Sequence, residues 1–271
     1  MALTPLQKNV MGSIAKNRSE TSYLAGGLVL NRDWPRLSDD IDIFQDTDEE
    51  IGAVAERDLE TLRADGFTVS VDVFIYGCVE ASISRGGEST IIQWMSESRH
   101  RFFPLVRDDE WGARLHQTDL AVNKVLAAST RRKARDYADL VMIEERFCPL
   151  GPLMMAAAGK PPHYSPLRIV DEIRHRGLSI ASEDYQSVKG LPAEYDAPAI
   201  RRKLEAALDR AESYVRSAPP EITGLLAANS EGVPLEVPGE TGQIFELRRA
   251  TAEPEVMPYF PKRTEDWGGR G

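Results

Sequence analysis

Residues 24–44 read LAGGLVLNRDWPRLSDDIDIF, and the reading of the whole chain turns on this stretch. It ends on DDIDIF, residues 39–44, whose polar–apolar alternation is the pattern of a strand with one buried face. Asp40 and Asp42 lie two apart, so on a strand both carboxylates project to one side while Ile41 and Ile43 turn to the core. Asp39 points the other way. Two carboxylates on one face repel unless a cation stands between them. A hard divalent ion such as Mg²⁺ suits them, because it takes oxygen ligands and keeps positions for substrate phosphates. A solvated acidic turn is the plainer alternative. Upstream, Tyr23–Ala25 reads as a short strand, Gly26-Gly27 as a tight turn and residues 28–32 as a helical turn. Glycines at a strand-to-helix junction let backbone amides approach a phosphate, and the positive end of a helix favours an anion. Arg36 is a candidate phosphate contact and Arg32 a weaker one; a solvated loop arginine is the alternative for each.

Outward from this stretch, residues 4–17 read as a helix, with Leu6, Val10 and Ile14 recurring every fourth position behind a Thr4-Pro5 start. Thr47 and Glu50 have the spacing of a capping box ahead of an apolar stripe, Ile51, Val54, Ala55, Leu59 and Leu62, which Gly66 closes. Strands are expected at residues 67–74, 78–84 and 90–95, with Arg85-Gly86-Gly87 as the turn between the last two. Helices follow at Asp119–Ala128, with Thr118 as N-cap, and at Arg131–Arg146. On the first, Lys124 shares a face with Ala121 and Ala128, where a long cation can lie along the surface and present its ammonium to a phosphate. On the second, Arg132, Asp136 and Asp139 fall on one face, and Arg135 stands four before Asp139, which is also the spacing of ordinary surface ion pairs. The Pro- and Gly-rich residues 149–166 read as a boundary between residues 1–148 and a smaller, mainly helical part, residues 165–271. That part holds helices at 167–176 and 199–216, a short strand at Gln243–Leu247 and a loose tail of about ten residues.

Composition narrows the class. With 42% hydrophobic and 28% charged residues over 271 positions, the chain can bury a proper core, unlike a disordered or fibrous one. No apolar run reaches the roughly 18 residues of a membrane span, and MALTPLQKNV has no signal-peptide core, so a cytoplasmic protein with no membrane partner is expected. Two cysteines, Cys78 and Cys148, exclude a disulfide scaffold and a cysteine zinc site. The four histidines are scattered without ligand spacing. The net charge of −10 argues against broad binding to nucleic acid but leaves room for a local cationic site. Residues 99–104, RHRFFP, are basic and aromatic; Phe102 and Phe103 are expected to seal the core.

Gly26-Gly27, twelve residues, then Asp40-Ile41-Asp42 resembles the first motif of the DNA-polymerase-β-type nucleotidyltransferase superfamily. More narrowly, LAGGLVLNR…RLSDDIDIF resembles the AbiEii family, which includes toxins of toxin–antitoxin and phage-defence systems. DLAVNKVLAA (Asp119–Ala128) and RRKARDYADL (Arg131–Leu140) are similar to that family's Asp-Leu-x-x-x-Lys and Arg-Asp-x-x-Asp-Leu motifs, so the resemblance runs in order over roughly residues 20–145. It implies an α+β fold, a polymerase-β-like core of mixed sheet flanked by helices, with a helical C-terminal part. It implies Mg²⁺ or Mn²⁺ on Asp40 and Asp42, and a nucleoside triphosphate held by Gly26, Gly27, Ser38, Arg36 and Lys124. It favours Asp136 as an active-site residue and Asp139 as a positioning or structural partner. The implied acceptor is an RNA, with a tRNA 3′ end as one candidate, and an antitoxin is the implied protein partner. A small molecule or protein side chain is the alternative acceptor. A fold that binds a nucleotide or partner without catalysis is the alternative to an enzyme.

The sequence departs from the superfamily pattern at one point. Such enzymes usually carry a third carboxylate on a later strand, beside the pair. The strand expected to hold it, residues 90–95, offers Gln93, an amide that cannot act as a base. Glu80 and Asp72 are the other strand-borne candidates, and Asp136 could supply the carboxylate from the helical side.

Overall fold

Helix α1 (Pro5–Ile14) starts as its sequence dictates: the Thr4 hydroxyl accepts from the Gln7 amide, the Gln7 side chain accepts from the Thr4 amide, and Pro5 fills the first turn. The structure is a computed structural model that describes residues 3–237 and 245–253. In chain order there follow β1 (Ser22–Ala25), α2 (Gly26–Leu30), β2 (Asp40–Gln45), α3 (Ile51–Ala64), β3 (Thr68–Ile75), β4 (Cys78–Arg85), β5 (Glu88–Ser96), β6 (Val106–Asp108) and β7 (Gly112–Arg114). Then come α4 (Gln117–Thr130), α5 (Ala134–Arg146), α6 (Leu150–Ala157), α7 (Pro166–Gly177), α8 (Ser182–Gln186), α9 (Ala197–Ser217), β8 (Leu225–Ala228) and β9 (Glu246–Arg249).

The first seven strands form one mixed sheet in the order β3-β4-β5-β2-β1-β7-β6, with β2–β5 and β1–β7 parallel and the other pairs antiparallel. The expected α+β class, a mixed sheet flanked by helices, is therefore observed. Gly86 and Gly87 both take positive φ between the paired residues Arg85 and Glu88, the backbone a two-residue hairpin turn requires. One sheet face is apolar: Ile41, Ile43, Val79, Ala81, Ile83, Ile92 and Trp94 are fully buried there beneath α1 and α3. Below it, Asp58 of α3 pairs with Arg18 and accepts from Trp94 Nε1 at 2.8 Å, so the buried charge is both paired and hydrogen-bonded. The other face of β2, β5 and β4 alternates into half-open positions and carries the polar residues. Helices α4 to α7 and α9 pack on one another beyond β1 and β2.

Several local expectations are corrected. The Thr47–Glu50 capping box does not form: α3 starts at Ile51 behind Glu50, with no side-chain cap, because residues 48–50 turn before the helix begins. Helix α4 starts two residues earlier than expected, at Gln117. His116, not Thr118, is its N-cap, its ring accepting from the Thr118 amide, and the Thr118 hydroxyl donates to the Gly232 carbonyl instead. Residues 149–166, read as a domain boundary, contain the helix α6, whose eight residues are all buried. One apolar cluster runs from Leu6 through α6 to Ala250. Phe102 and Phe103 are buried as expected, their amides donating to the fully buried Asp119. The strand expected at Gln243–Leu247 is observed as β9 from Glu246; its first residues, like the loose tail, lie outside the described residues. No helix among the described residues is long and apolar enough to cross a membrane.

Candidate active site

Strand β2 sets the centre of the site. Its burial alternates as the sequence implies, with Ile41 and Ile43 in the core and Asp40 and Asp42 on the half-open face. Antiparallel pairing of Ala25 with Asp42 brings the start of α2 against the second aspartate. Gly26 has φ +72°, and a Cβ there would lie 1.8 Å from an Asp42 carboxylate oxygen. A Cβ on Gly27 would lie 2.4 Å from an Arg36 guanidinium nitrogen and 3.3 Å from the Ser38 hydroxyl. The glycine pair is thus fixed by the acidic pair and by Arg36: only residues without side chains leave these groups their places.

Four cations surround the pair, at different depths. Arg36 is buried and its guanidinium forks onto both oxygens of Asp139 on α5. Asn31 donates to the same carboxylate at 3.0 Å and to the Gly27 carbonyl at 2.8 Å, so the loop entering β2 is stapled to α5. Lys124 on α4 is also buried, its ammonium 2.9 Å from Asp136 and 2.9 Å from Asp139. Arg131 forks onto Asp136 at 2.7 and 3.0 Å. Arg135 reaches across to Asp40, at 3.4 and 3.3 Å from its two oxygens, and the Ser38 hydroxyl donates to Asp40 at 3.0 Å.

Proton affinities follow from these surroundings. Burial, and then the neighbouring Asp40, push the Asp42 carboxyl up to about 6, although Arg135, Lys124 and Arg131 pull the other way. Burial would also raise Asp136 and Asp139, but the cations win: Lys124 and Arg131 hold Asp136 well below the carboxylate range, and Arg36 and Lys124 hold Asp139 below it. Asp136 and Asp139 are therefore satisfied anions, whereas at Asp42 burial and Asp40 outweigh the pull of the cations.

The structure brings Gly26, Gly27, Arg36, Ser38, Asp40, Asp42, Lys124, Asp136 and Asp139 together. It does not bring in Arg132, which donates to the Ser179 carbonyl. The helical spacing failed there because α5 begins only at Ala134, so residues 131–133 are extended and Arg131 takes the place assigned to Arg132. Arg135 likewise bonds Asp40 rather than Asp139. Arg32 pairs with Asp108 and Glu110, away from the acidic pair. Asp136, engaged by two cations, positions Lys124 and Arg131 and is not a spare carboxylate.

At the third position, Gln93 stands directly beside Asp42 in the parallel β2–β5 register, and Glu80 directly beside Gln93 in β4. The Gln93 amide donates to Glu80 at 2.5 Å. Three residues thus lie abreast across three strands, with an amide where a carboxylate was sought and a carboxylate one strand farther. Asp72 lies at a bulge in β3 and accepts from Ser70 and Ser82, away from the pair. Among the described residues no group of three or more His, Cys, Asp or Glu is arranged to hold a metal. A Mg²⁺ ion held by two carboxylates, water and substrate phosphates needs no such group. Two carboxylate oxygen donors on one half-open strand face, beside a glycine pair that leaves them clear, fit such an ion.

No protein-family model matches the chain, and no curated protein matches it. Among solved structures, it is similar to MenT4, a nucleotidyltransferase toxin of Mycobacterium tuberculosis H37Rv, with a TM-score of 0.55 and 14% identity over 80% of this chain and 84% of that one. It is similar more remotely to JHP933 of Helicobacter pylori, with a TM-score of 0.48 and 15% identity over 78% of this chain and 94% of that one. The first of these likenesses shows that the fold is that of the nucleotidyltransferases.

Proposed function

We propose that the chain is a divalent-metal-dependent nucleotidyltransferase, which moves a nucleoside monophosphate from a nucleoside triphosphate to an acceptor hydroxyl. The observation that carries this reading is the Asp40–Asp42 pair on one half-open strand face, packed against a glycine pair that only side-chain-free residues can form, within a nucleotidyltransferase fold. Asp40 and Asp42 would hold Mg²⁺ or Mn²⁺, which when bound neutralises phosphate charge and favours in-line displacement. Gly26, Gly27 and Ser38 form the phosphate side. Arg131 and Arg135 add positive charge at the rim, and Lys124, fixed between Asp136 and Asp139, adds it from within. A bond forms between the acceptor oxygen and the α-phosphorus, the bond to the β-phosphate bridge breaks, and pyrophosphate leaves. The hydroxyl proton passes to solvent, since Gln93 cannot take it and Glu80 stands one strand away.

The acceptor we favour is RNA, a tRNA 3′ end being one candidate. The fold likeness to a nucleotidyltransferase toxin supports toxin-like action, and the ordered motifs support the narrower AbiEii-like reading, with a cognate antitoxin, a cytoplasmic location and a place in phage defence. The test is incubation with labelled nucleoside triphosphates, Mg²⁺ and total RNA. Absence of transfer, or equal transfer by Asp42→Asn, sinks the reading; transfer that survives nuclease treatment moves the acceptor to a small molecule or protein. Gln93 at the third position favours a second reading, a nucleotide-binding fold without turnover, which calorimetric binding without any transfer would support.

A further inference from the structure

The arginines around the acidic pair are not equivalent. The pair Arg36–Asp139 is buried, with side chains 2% and 0% exposed, and its guanidinium is forked and short-bonded. Arg131 is forked onto Asp136, whose side chain is fully buried. Arg131's own side chain is 45% exposed, but its fork is anchored in that buried carboxylate; Arg135 differs in its geometry and in the exposure of its partner. It presents one nitrogen, Nη1, to both oxygens of Asp40, at 3.4 and 3.3 Å, and the two side chains are 31% and 14% exposed. Charge-assisted bonds are ordinarily about 2.7–2.9 Å long, so this contact is loose. Its only ion pair among the described residues is with Asp40, one of the two carboxylates available to a metal ion.

We propose that Arg135 is a placeholder for the divalent cation: it neutralises Asp40 while the metal is absent, is displaced when the metal binds, and then pairs with the polyphosphate of the nucleotide. The proposal rests on the metal-dependent reading above. A guanidinium and a metal ion compete for the same two oxygens, so each must weaken the other's hold. Arg135 is the cation that can move, because Arg36 and Arg131 are fixed by carboxylates that no metal would claim. Once Asp40 is occupied, the guanidinium stands beside the ion with no anion of its own, next to where a triphosphate would meet the metal. One side chain thus makes metal binding harder without nucleotide and easier with it.

The test uses the full chain and Mn²⁺ as probe, with free Mn²⁺ measured by electron paramagnetic resonance, first alone and then with inorganic tripolyphosphate. Arg135→Gln should bind Mn²⁺ alone about three- to fivefold more tightly than the wild type, the scale of one partly exposed ion pair. It should bind tripolyphosphate in the presence of Mn²⁺ correspondingly more weakly. Arg135→Lys, which keeps the charge, should stay near the wild type in both. A merely structural role would not move the two affinities in opposite directions. Unchanged or weaker Mn²⁺ binding by Arg135→Gln overturns the placeholder but leaves the metal site standing. Mn²⁺ binding by the wild type no better than by Asp40→Asn with Asp42→Asn overturns both.

Discussion

Replacing Asp42 by asparagine should destroy the proposed activity and at the same time stabilise the metal-free protein. The carboxyl is pushed from the ordinary 3.8 to about 6, first by burial and then by Asp40. A raised carboxyl is a charge the fold tolerates badly. Above about pH 6 it is ionised in both folded and unfolded states, and unfolding relieves it; below about pH 4 it is protonated in both, and the cost vanishes. A displacement of about 2 units corresponds to about 3 kcal/mol. Water at the half-open face screens part of this, so about 1–2 kcal/mol is expected. For a chain of this size that is a rise of about 2–8 °C in Tm. The assay is thermal melting of both proteins with chelator at about pH 8 and about pH 5, where the gain should be about half as large. Added Mg²⁺ should stabilise only the wild type, by mass action on the folded state. No gain at pH 8, or the same gain at both pH values, would refute the view that burial and Asp40 make the Asp42 charge costly to the fold.

Gly26→Ala places a Cβ 1.8 Å from the Asp42 carboxylate on a backbone with φ +72°, so it should cost about 2 kcal/mol or more in stability and at least about tenfold in transfer. Thermal melts and turnover of the purified variant check this, and a near-neutral result would mean that α2 can retreat from β2. Asp136→Asn strands Lys124 and Arg131 beside a neutral amide and should cost about 3–5 kcal/mol, read as a lower denaturant midpoint. Because Asp136 is held below the carboxylate range, the loss should be full near neutral pH and shrink as pH falls through the acidic range where the wild type protonates. Asp58→Ala leaves Arg18 buried and unpaired beneath the sheet, far from the proposed chemistry, and should lower stability by about 3–5 kcal/mol while transfer by the remaining folded protein persists.

What could be read from the sequence was what is local. The alternation of residues 39–44 gave the direction of Asp40 and Asp42, and the glycines before them marked the junction with α2. The order of strands pointed to Gln93, and the register places it beside Asp42. What could not be read were contacts across long separations. Arg36 meets Asp139 over 103 positions, Asn31 meets it over 108, and Arg135 meets Asp40 over 95. Spacing on one helix suggested that Arg135 and Asp139 would pair with each other, four residues apart; tertiary packing gave each a better-placed partner. Thr47 and Glu50 fit a capping pattern, but the pattern cannot tell whether the chain turns once more before its helix begins. The buried α6 was hidden because its glycine and proline, Gly151 and Pro152, look like breakers; both fall in its first turn, where proline costs no hydrogen bond.

Two arginine–aspartate pairs join the strand side of the cleft to α5, and they differ as a hinge pin differs from a latch. Arg36–Asp139 is the pin, desolvated at the base; Arg135–Asp40 is the latch, wetted at the mouth. Dissolved ions reach only the latch. At about 1 M salt the screening length is about 3 Å, comparable with the latch's own span, while the pin keeps its attraction in a medium salt does not enter. Ionic strength should therefore govern how readily the mouth gapes without loosening the base: amide exchange around Arg135 should quicken with salt, and that around Asp139, one turn along the same helix, should not.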